Sequence, residues 1–164
     1  MNSQSKQSTE STFRERAIEH LFIGQLLKFF WKKNETNIEI LRSEFDRGGY
    51  DVVISKGNAS RFIQFKTSII GGKANSVNVN ASLMNKPNGC IVWIIVDEDL
   101  NLMTYRWFGS ALNAPFPDLS NFRIAKHTKG NSIGVKTARP NIRVLPKTAF
   151  ENINSFESLL AKLF

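Results

Sequence analysis

The chain of 164 residues has a single cysteine, Cys90. One thiol cannot form an internal disulfide, and it cannot supply a cysteine-rich zinc site. Cys90 opens the apolar run at residues 90–96. We therefore expect it to be a buried structural thiol rather than a nucleophile.

Long apolar runs are also missing from the sequence. The first twelve residues are polar and rich in serine, and they lack the apolar core of a secretory signal. The longest apolar stretch, residues 21–31, is interrupted by Gln25 and Lys28 and is too short to span a bilayer. A cytoplasmic protein is therefore expected.

Acidic residues are absent between positions 120 and 150, although the chain as a whole carries a net charge of +8. Seven basic residues lie there, and we call them the basic segment: Arg123, Lys126, Lys129, Lys136, Arg139, Arg143 and Lys147. A surface of this charge suits a polyanion, most commonly a nucleic acid. The alternative is the solvated face of a protein that is merely basic.

The length predicts one domain, with residues 1–11 as a disordered tail and 12–164 as the folded unit. A capping box formed by Thr12 and Glu15 predicts the start of a helix over 13–33. A short amphipathic helix is expected from Ser155 onward.

Strand patterns follow the first helix. Three of them, at 38–45, 50–55 and 61–68, predict an antiparallel meander, and residues 76–83 fit either a strand or a short helix. The continuous apolar run at 90–96 indicates a strand covered on both faces, and a further strand is expected at 102–108. The proline- and lysine-rich remainder is expected to be irregular. The fold class is therefore α/β, with a mixed sheet of four to five strands flanked by helices.

Glu19 is an anomaly in the first helix. At 100° per residue it falls inside a broad apolar face formed by Ile18, Phe22, Ile23, Leu26, Phe29 and Phe30. An unpaired carboxylate in that position would cost several kcal/mol, so Glu19 needs a partner or a metal.

Two polar residues share one face of the third strand. Side chains alternate along a strand, so Gln64 and Lys66 point to the same side. Asp51 begins the preceding strand, just after Gly48 and Gly49, and in an antiparallel pair it comes near both. Together with Glu19, these side chains could converge on one point.

At this spacing the residues resemble the PD-(D/E)XK nuclease superfamily. The matching parts are Glu19 in AIEHLFIGQLL, Asp51 in GGYDVVIS and Gln64-Phe65-Lys66 in RFIQFKTS. The glutamine is similar to the Q-x-K form of Mrr-like restriction endonucleases. The resemblance covers residues 12–108 and implies a restriction-endonuclease-like fold.

The resemblance also implies a Mg²⁺- or Mn²⁺-dependent hydrolysis of DNA by direct in-line attack. Asp51 would be the principal metal ligand, helped by the Gln64 side chain and the Phe65 carbonyl. Lys66 would orient the attacking water, and Glu19 would bind through water or hold a second metal. Because Gln64 replaces a carboxylate, the metal should bind more weakly than in a site with two acids.

Each of these residues has a simpler explanation when it is taken alone. Asp51 could cap the double-glycine turn, Lys66 could protect an edge strand, and Glu19 could form a salt bridge with Lys66. The joint pattern favours the site.

Other candidates carry less weight. Glu44 and Asp46 could substitute as acids, although their place before the glycine turn predicts exposure. The Asp97-Glu98-Asp99 run is more typical of a hairpin turn than of a metal cluster. His20 and His127 are isolated. Gly71-Gly72-Lys73 lacks the spacing of a phosphate loop, and Ala74 stands where Ser or Thr would contact Mg²⁺.

Three functions remain open from the sequence. The first is a DNA endonuclease of restriction or repair type, as a homodimer if it cuts both strands, with a protein partner as one source of specificity. The second is an inactive module of the same fold that binds nucleic acid or protein. The third is a small basic protein whose basic segment docks on an acidic surface.

Overall fold

A computed structural model of the protein describes residues 10–45, 47–130, 132 and 134–164. The predicted tail thus lies mostly outside the described residues. Within them the elements are α1 (Ser11–Lys32), β1 (Ile38–Arg42), β2 (Val52–Lys56), β3 (Ala59–Ile69), β4 (Ser76–Asn80), β5 (Gly89–Val96), β6 (Leu102–Gly109), β7 (Ile124–Lys126), β8 (Ala138–Pro146), β9 (Glu151–Ile153) and α2 (Phe156–Leu163).

The central sheet is mixed, with strand order β1-β2-β3-β5-β6-β9. The meander β1–β2–β3 is antiparallel, as predicted, whereas β3 and β5 are parallel. The predicted α/β class with a central mixed sheet is therefore confirmed. The sheet has six strands rather than four to five, because β9 pairs with β6 at its edge.

The prediction that the stretch after β6 is irregular was wrong. It supplies β7, β8 and β9, and the first two join β4 in a separate three-stranded sheet of order β4-β8-β7. Two features make these strands difficult to predict from the sequence. The pairing of β8 with β4 is long-range, and Pro140 falls where the β7–β8 register shifts, a place where a strand tolerates proline.

Two apolar cores lie on opposite faces of the central sheet. The helices cover one face, where Phe22 of α1 and Phe156 of α2 pack against alternate residues of β3 and β5. The small sheet covers the other face, where Leu145 of β8 packs around Trp93. Since every residue of β5 is buried, the strand covered on both faces is confirmed.

The structure shows where each helix begins and how residues 76–83 fold. The capping box was wrong, because α1 begins at Ser11 with Glu10 as an N-cap that makes no side-chain bond, so Thr12 is already helical. Ser155 does cap α2, since its Oγ accepts a bond from the Ser158 N–H at 3.1 Å. The ambiguous residues 76–83 divide into β4 and a 3-10 turn, Ala81–Asn85.

Cys90 is buried and unbridged, as predicted. Burial raises the pKa of its thiol to about 12, which keeps it protonated at neutral pH. Neither described helix combines the length and apolarity needed to cross a membrane.

Candidate active site

The site begins where β2 separates from β3. The ladder between them ends at the pair Val52 and Ile63, and the Asp51 N–H donates to the Ile63 carbonyl at 2.9 Å. Beyond that point the Phe65 N–H donates to Oδ2 of Asp51 at 2.7 Å. The Asp51 side chain thus takes the place of the missing strand partner.

This bond also fixes the direction of the Phe65 carbonyl. In a strand the N–H and C=O of one residue point toward the same neighbouring strand. The Phe65 carbonyl therefore points toward the same side as the Asp51 carboxylate, past the end of β2. Two oxygens of the kind that Mg²⁺ prefers lie on one side of β3.

Just before β2, Gly49 packs closely against the 3-10 turn Ala81–Asn85. Gly49 is buried with φ +74°, and a Cβ there would lie 2.9 Å from the Leu83 nitrogen and 3.2 Å from Cβ of Asn80. Any other residue type would be strained by this backbone conformation and would crowd the 3-10 turn, so glycine is favoured here.

Gln64 and Lys66 share one face of β3, as predicted. Ile63 and Phe65 point into the core under the helices, whereas Phe62 packs into the core under the small sheet, and alternation places Gln64 and Lys66 on that second side. Lys66 is half-buried and lies opposite Trp93 of β5. Strand β3 lies between β2 and β5, but its ladder with β2 ends at Ile63, so at Lys66 it pairs with β5 alone and the edge-strand explanation stays open.

Gln64 is buried, and its Oε1 accepts a bond from the Asn80 N–H at 3.3 Å. That distance is long for an N–H···O bond, so the bond is a weak one. The amide oxygen lies beside Asn80, the N-cap of the 3-10 turn.

Glu19 is buried on α1 with 7% of its surface exposed. Its Oε2 accepts bonds from Nη1 of Arg16 at 2.9 Å and from Nη1 of Arg42 at 3.1 Å. The anomaly in the apolar face is therefore explained by two guanidinium partners. Its role as a metal ligand stays a prediction.

A cleft of about 430 Å³ opens beside Asp51, but the residues that line it do not include Glu19, Gln64 or Lys66. It is lined by Arg16, His20, Arg42, Ser43, Glu44, Tyr50 and Asp51. Asp51 thus faces the same cleft as both arginines that hold Glu19. Glu44 is exposed, as predicted, and Asp46 lies outside the described residues.

The described residues contain no cluster of three or more His, Cys, Asp or Glu side chains able to hold a metal. The oxygens predicted for a metal here would come instead from one carboxylate, Asp51, one amide, Gln64, and the Phe65 carbonyl. Such a set fits Mg²⁺ or Mn²⁺, which accept oxygen ligands and keep several waters. With one negative charge, the set predicts weak binding.

The basic segment lies on the small sheet and its connections. Six of its residues are exposed: Arg123, Lys126, Lys129, Lys136, Arg139 and Lys147. Arg143 is half-buried, and its Nη1 donates to the Pro140 carbonyl. Residues 131 and 133 of this segment lie outside the described part of the chain.

The Asp97-Glu98-Asp99 run forms a turn, as predicted. Oδ1 of Asp97 accepts bonds from the Asp99 N–H at 3.0 Å and the Asn101 N–H at 2.8 Å. The Asn101 side chain also donates to Asp97, and this bond is the main reason that the carboxyl pKa is lowered. The Asp97 carboxylate thus stabilises the turn.

Sequence reasoning missed Arg16, Arg42 and Asn80. Arg16 precedes Glu19 by one helical turn, a spacing at which opposite charges pair, so that contact could have been found. Arg42 reaches Glu19 through the packing of β1 beside α1, which no local pattern shows.

Among the solved structures that resemble the chain is Hjc, a Holliday junction resolvase from the archaeal hyperthermophile Archaeoglobus fulgidus. It has 13% identity and a TM-score of 0.46, with coverage of 88% of this chain and 97% of that chain. No family model and no curated protein matches the sequence. A likeness at this level assigns neither a family nor an activity, so function is inferred from the residues of this chain.

Proposed function

We propose that the protein is a metal-dependent DNA endonuclease of the PD-(D/E)XK type, in the Q-x-K form. The bond between the Asp51 carboxylate and the Phe65 N–H carries the proposal. It holds the acid beside the strand segment Gln64-Phe65-Lys66, which is the arrangement that the motif requires.

Asp51, Gln64 and the Phe65 carbonyl would hold the divalent metal. When bound, the metal supplies positive charge to the phosphate and lowers the pKa of water. Lys66, half-buried on the same strand face, would orient the attacking water and offset charge on the phosphate. Attack in line on phosphorus would then release the leaving oxygen without a covalent enzyme intermediate.

The charge distribution supports a nucleic-acid substrate. Arg16, His20 and Arg42 line the cleft beside Asp51, and the exposed residues of the basic segment extend positive charge over the small sheet. Phosphate contacts of this kind should make DNA binding strongly dependent on salt. A protein that used the basic segment only to dock on an acidic protein would lack such DNA binding.

The direct test is cleavage of supercoiled, linear, single-stranded and branched DNA in Mg²⁺, Mn²⁺ or EDTA. We expect cutting with either metal, none in EDTA, and its loss in Asp51→Asn because the neutral amide removes the one negative ligand. Asp99→Asn, the same change in an exposed turn, is the matched control and should cut normally.

Two results would contradict the nuclease proposal. One is cutting by Asp51→Asn at the normal rate, which would show contamination or another site. The other is the absence of cutting on every substrate with a folded protein that shows no Mn²⁺ binding by calorimetry.

The second result would favour an inactive nuclease-fold module that binds nucleic acid or a protein partner. One observation supports that alternative: the Gln64 oxygen already accepts a bond from Asn80, and the residue is not a carboxylate. A homodimer, proposed for cutting both strands, is tested separately by sedimentation at cleavage concentrations.

Gln64→Glu tests whether the amide weakens metal binding. The carboxylate would add a negative charge while keeping an acceptor for the Asn80 N–H. We expect the Mg²⁺ concentration for half-maximal cutting to fall roughly tenfold, because a hard cation gains one ionic ligand. Gln64→Met, which removes the oxygen, should raise it. An unchanged midpoint in both variants would exclude Gln64 from the metal site.

A further inference from the structure

The environment of Glu19 differs from that of a metal ligand. The side chain is buried, yet one of its oxygens already accepts bonds from two guanidinium groups, at 2.9 and 3.1 Å. A divalent cation at that carboxylate would add a third positive group beside two arginines. The charge of the Glu19 carboxylate is therefore already balanced by the two arginines, without a metal.

The two arginines come from different elements, α1 and the end of β1. Their positive charges would repel if no anion lay between them. Glu19 provides that anion from a position fixed by burial among Ile18 and Phe22, so it sets where both guanidinium groups lie.

Glu19 accepts only a small part of the hydrogen bonds that Arg16 and Arg42 can donate. A guanidinium has five N–H donors, and each arginine uses one nitrogen, Nη1, on Glu19. Both side chains line the cleft that Asp51 also lines, and they are partly open to solvent there. Arg16, Arg42 and Glu19 together carry a charge of +1, and the carboxylates of Glu44 and Asp51 line the same cleft.

We propose that Glu19 is a positioning residue that holds Arg16 and Arg42 as a clamp for a DNA backbone phosphate, and that it is not a metal ligand. The planar forks of two arginines match the oxygens of a phosphodiester. The clamp would seat a phosphate at the mouth of the cleft next to Asp51. The inference rests on the proposed function for its substrate, but it concerns binding that needs no metal.

The test measures binding of a labelled short DNA duplex by fluorescence anisotropy in EDTA over a range of KCl concentrations. Arg16→Gln and Arg42→Gln should each weaken binding about tenfold and reduce the slope of log K against log salt by about one. Lys28→Gln, which removes one exposed positive charge from the same helix, should leave affinity within about twofold.

Glu19→Gln gives the sharpest result. The change makes the protein more positive, so general attraction to DNA would increase. The clamp predicts the opposite, a several-fold loss of affinity in EDTA, because both arginines lose the group that positions them. Tighter binding by this variant would overturn the proposal.

A metal titration separates the clamp from the metal-ligand alternative. In the cleavage assay Glu19→Gln should keep the wild-type Mg²⁺ midpoint while requiring more DNA for half-maximal rate. A raised Mg²⁺ midpoint with unchanged binding in EDTA would assign Glu19 to the metal and overturn the clamp. If no variant or wild-type protein cuts DNA, the nuclease proposal fails, and the EDTA measurements still decide the clamp.

Arg42→Lys covers the case in which Glu19→Gln fails to fold. It keeps the charge but cannot bind Glu19 and a phosphate with one planar fork. Affinity should fall several-fold with little change in the salt slope. Wild-type affinity in Arg42→Lys would show that charge alone suffices, which contradicts the clamp.

Discussion

Replacement of Lys66 by methionine is expected to slow DNA cleavage by about 10²–10⁴-fold, with DNA affinity in EDTA retained within a few-fold. Lys66 shares the strand face of Gln64, one residue from Phe65, and in the proposed mechanism its ammonium group orients the attacking water. Methionine keeps the unbranched apolar stem and removes only the charge and its protons. The loss should therefore appear in the chemical step.

Single-turnover cleavage with saturating enzyme measures that step directly. Lys73→Met, in the exposed stretch after β3, removes an equal charge away from the site and serves as the control. Lys66→Arg should recover little activity, because a guanidinium stays protonated and is larger than an ammonium. A Lys66→Met rate within about threefold of wild type would remove Lys66 from the mechanism.

Replacement of Arg61 by alanine is expected to lower the free energy of unfolding by about 3–5 kcal/mol. Arg61 is 1% exposed, and its guanidinium donates to the carbonyls of Leu163 at 2.8 Å, Lys162 at 2.8 Å and Ser110 at 3.0 Å. It also lies over the Trp107 ring at 5.3 Å. Alanine would leave three carbonyls without this donor and a cavity beside the ring.

Urea unfolding followed by far-UV circular dichroism measures the change. Arg61→Lys should lose less, since one ammonium keeps the charge but reaches fewer of the three carbonyls. Arg139→Ala, an exposed residue of β8, is the control and should change stability by less than about 0.5 kcal/mol. A loss below about 1 kcal/mol in Arg61→Ala would show that Arg61 does not anchor α2.

The parts of the fold that the sequence predicted are those with local patterns. The apolar stripe of α1, the alternation of β3 and the continuous run of β5 each reflect the burial of their own side chains. The small sheet was missed because its strands are short or mostly exposed, and because β4 and β8 pair across a long stretch of chain.

In the candidate site too, the features set by local patterns could be predicted and those set by packing could not. Asp51 directly precedes β2, and Gln64 and Lys66 lie on its neighbour β3, so the register of the meander sufficed to predict that Asp51 lies beside the Gln64-Phe65-Lys66 segment. That the three side chains converge on one point stays a prediction. The contact between Glu19 and Arg42 depends on how closely α1 approaches β1, which is decided by packing. The Gln64 bond to Asn80 likewise depends on the 3-10 turn that follows β4.

The anchoring of Arg61 links β3 to the order in which the chain is synthesised. All three of its carbonyl acceptors belong to residues that a ribosome adds long after β3, two of them in the last turn of α2. A nascent chain that ends before Lys162 would have to bury this cation without two of its partners, which opposes closure of the domain. Strand β3, and with it the proposed site, should therefore settle only once residues 162 and 163 can pack against Arg61.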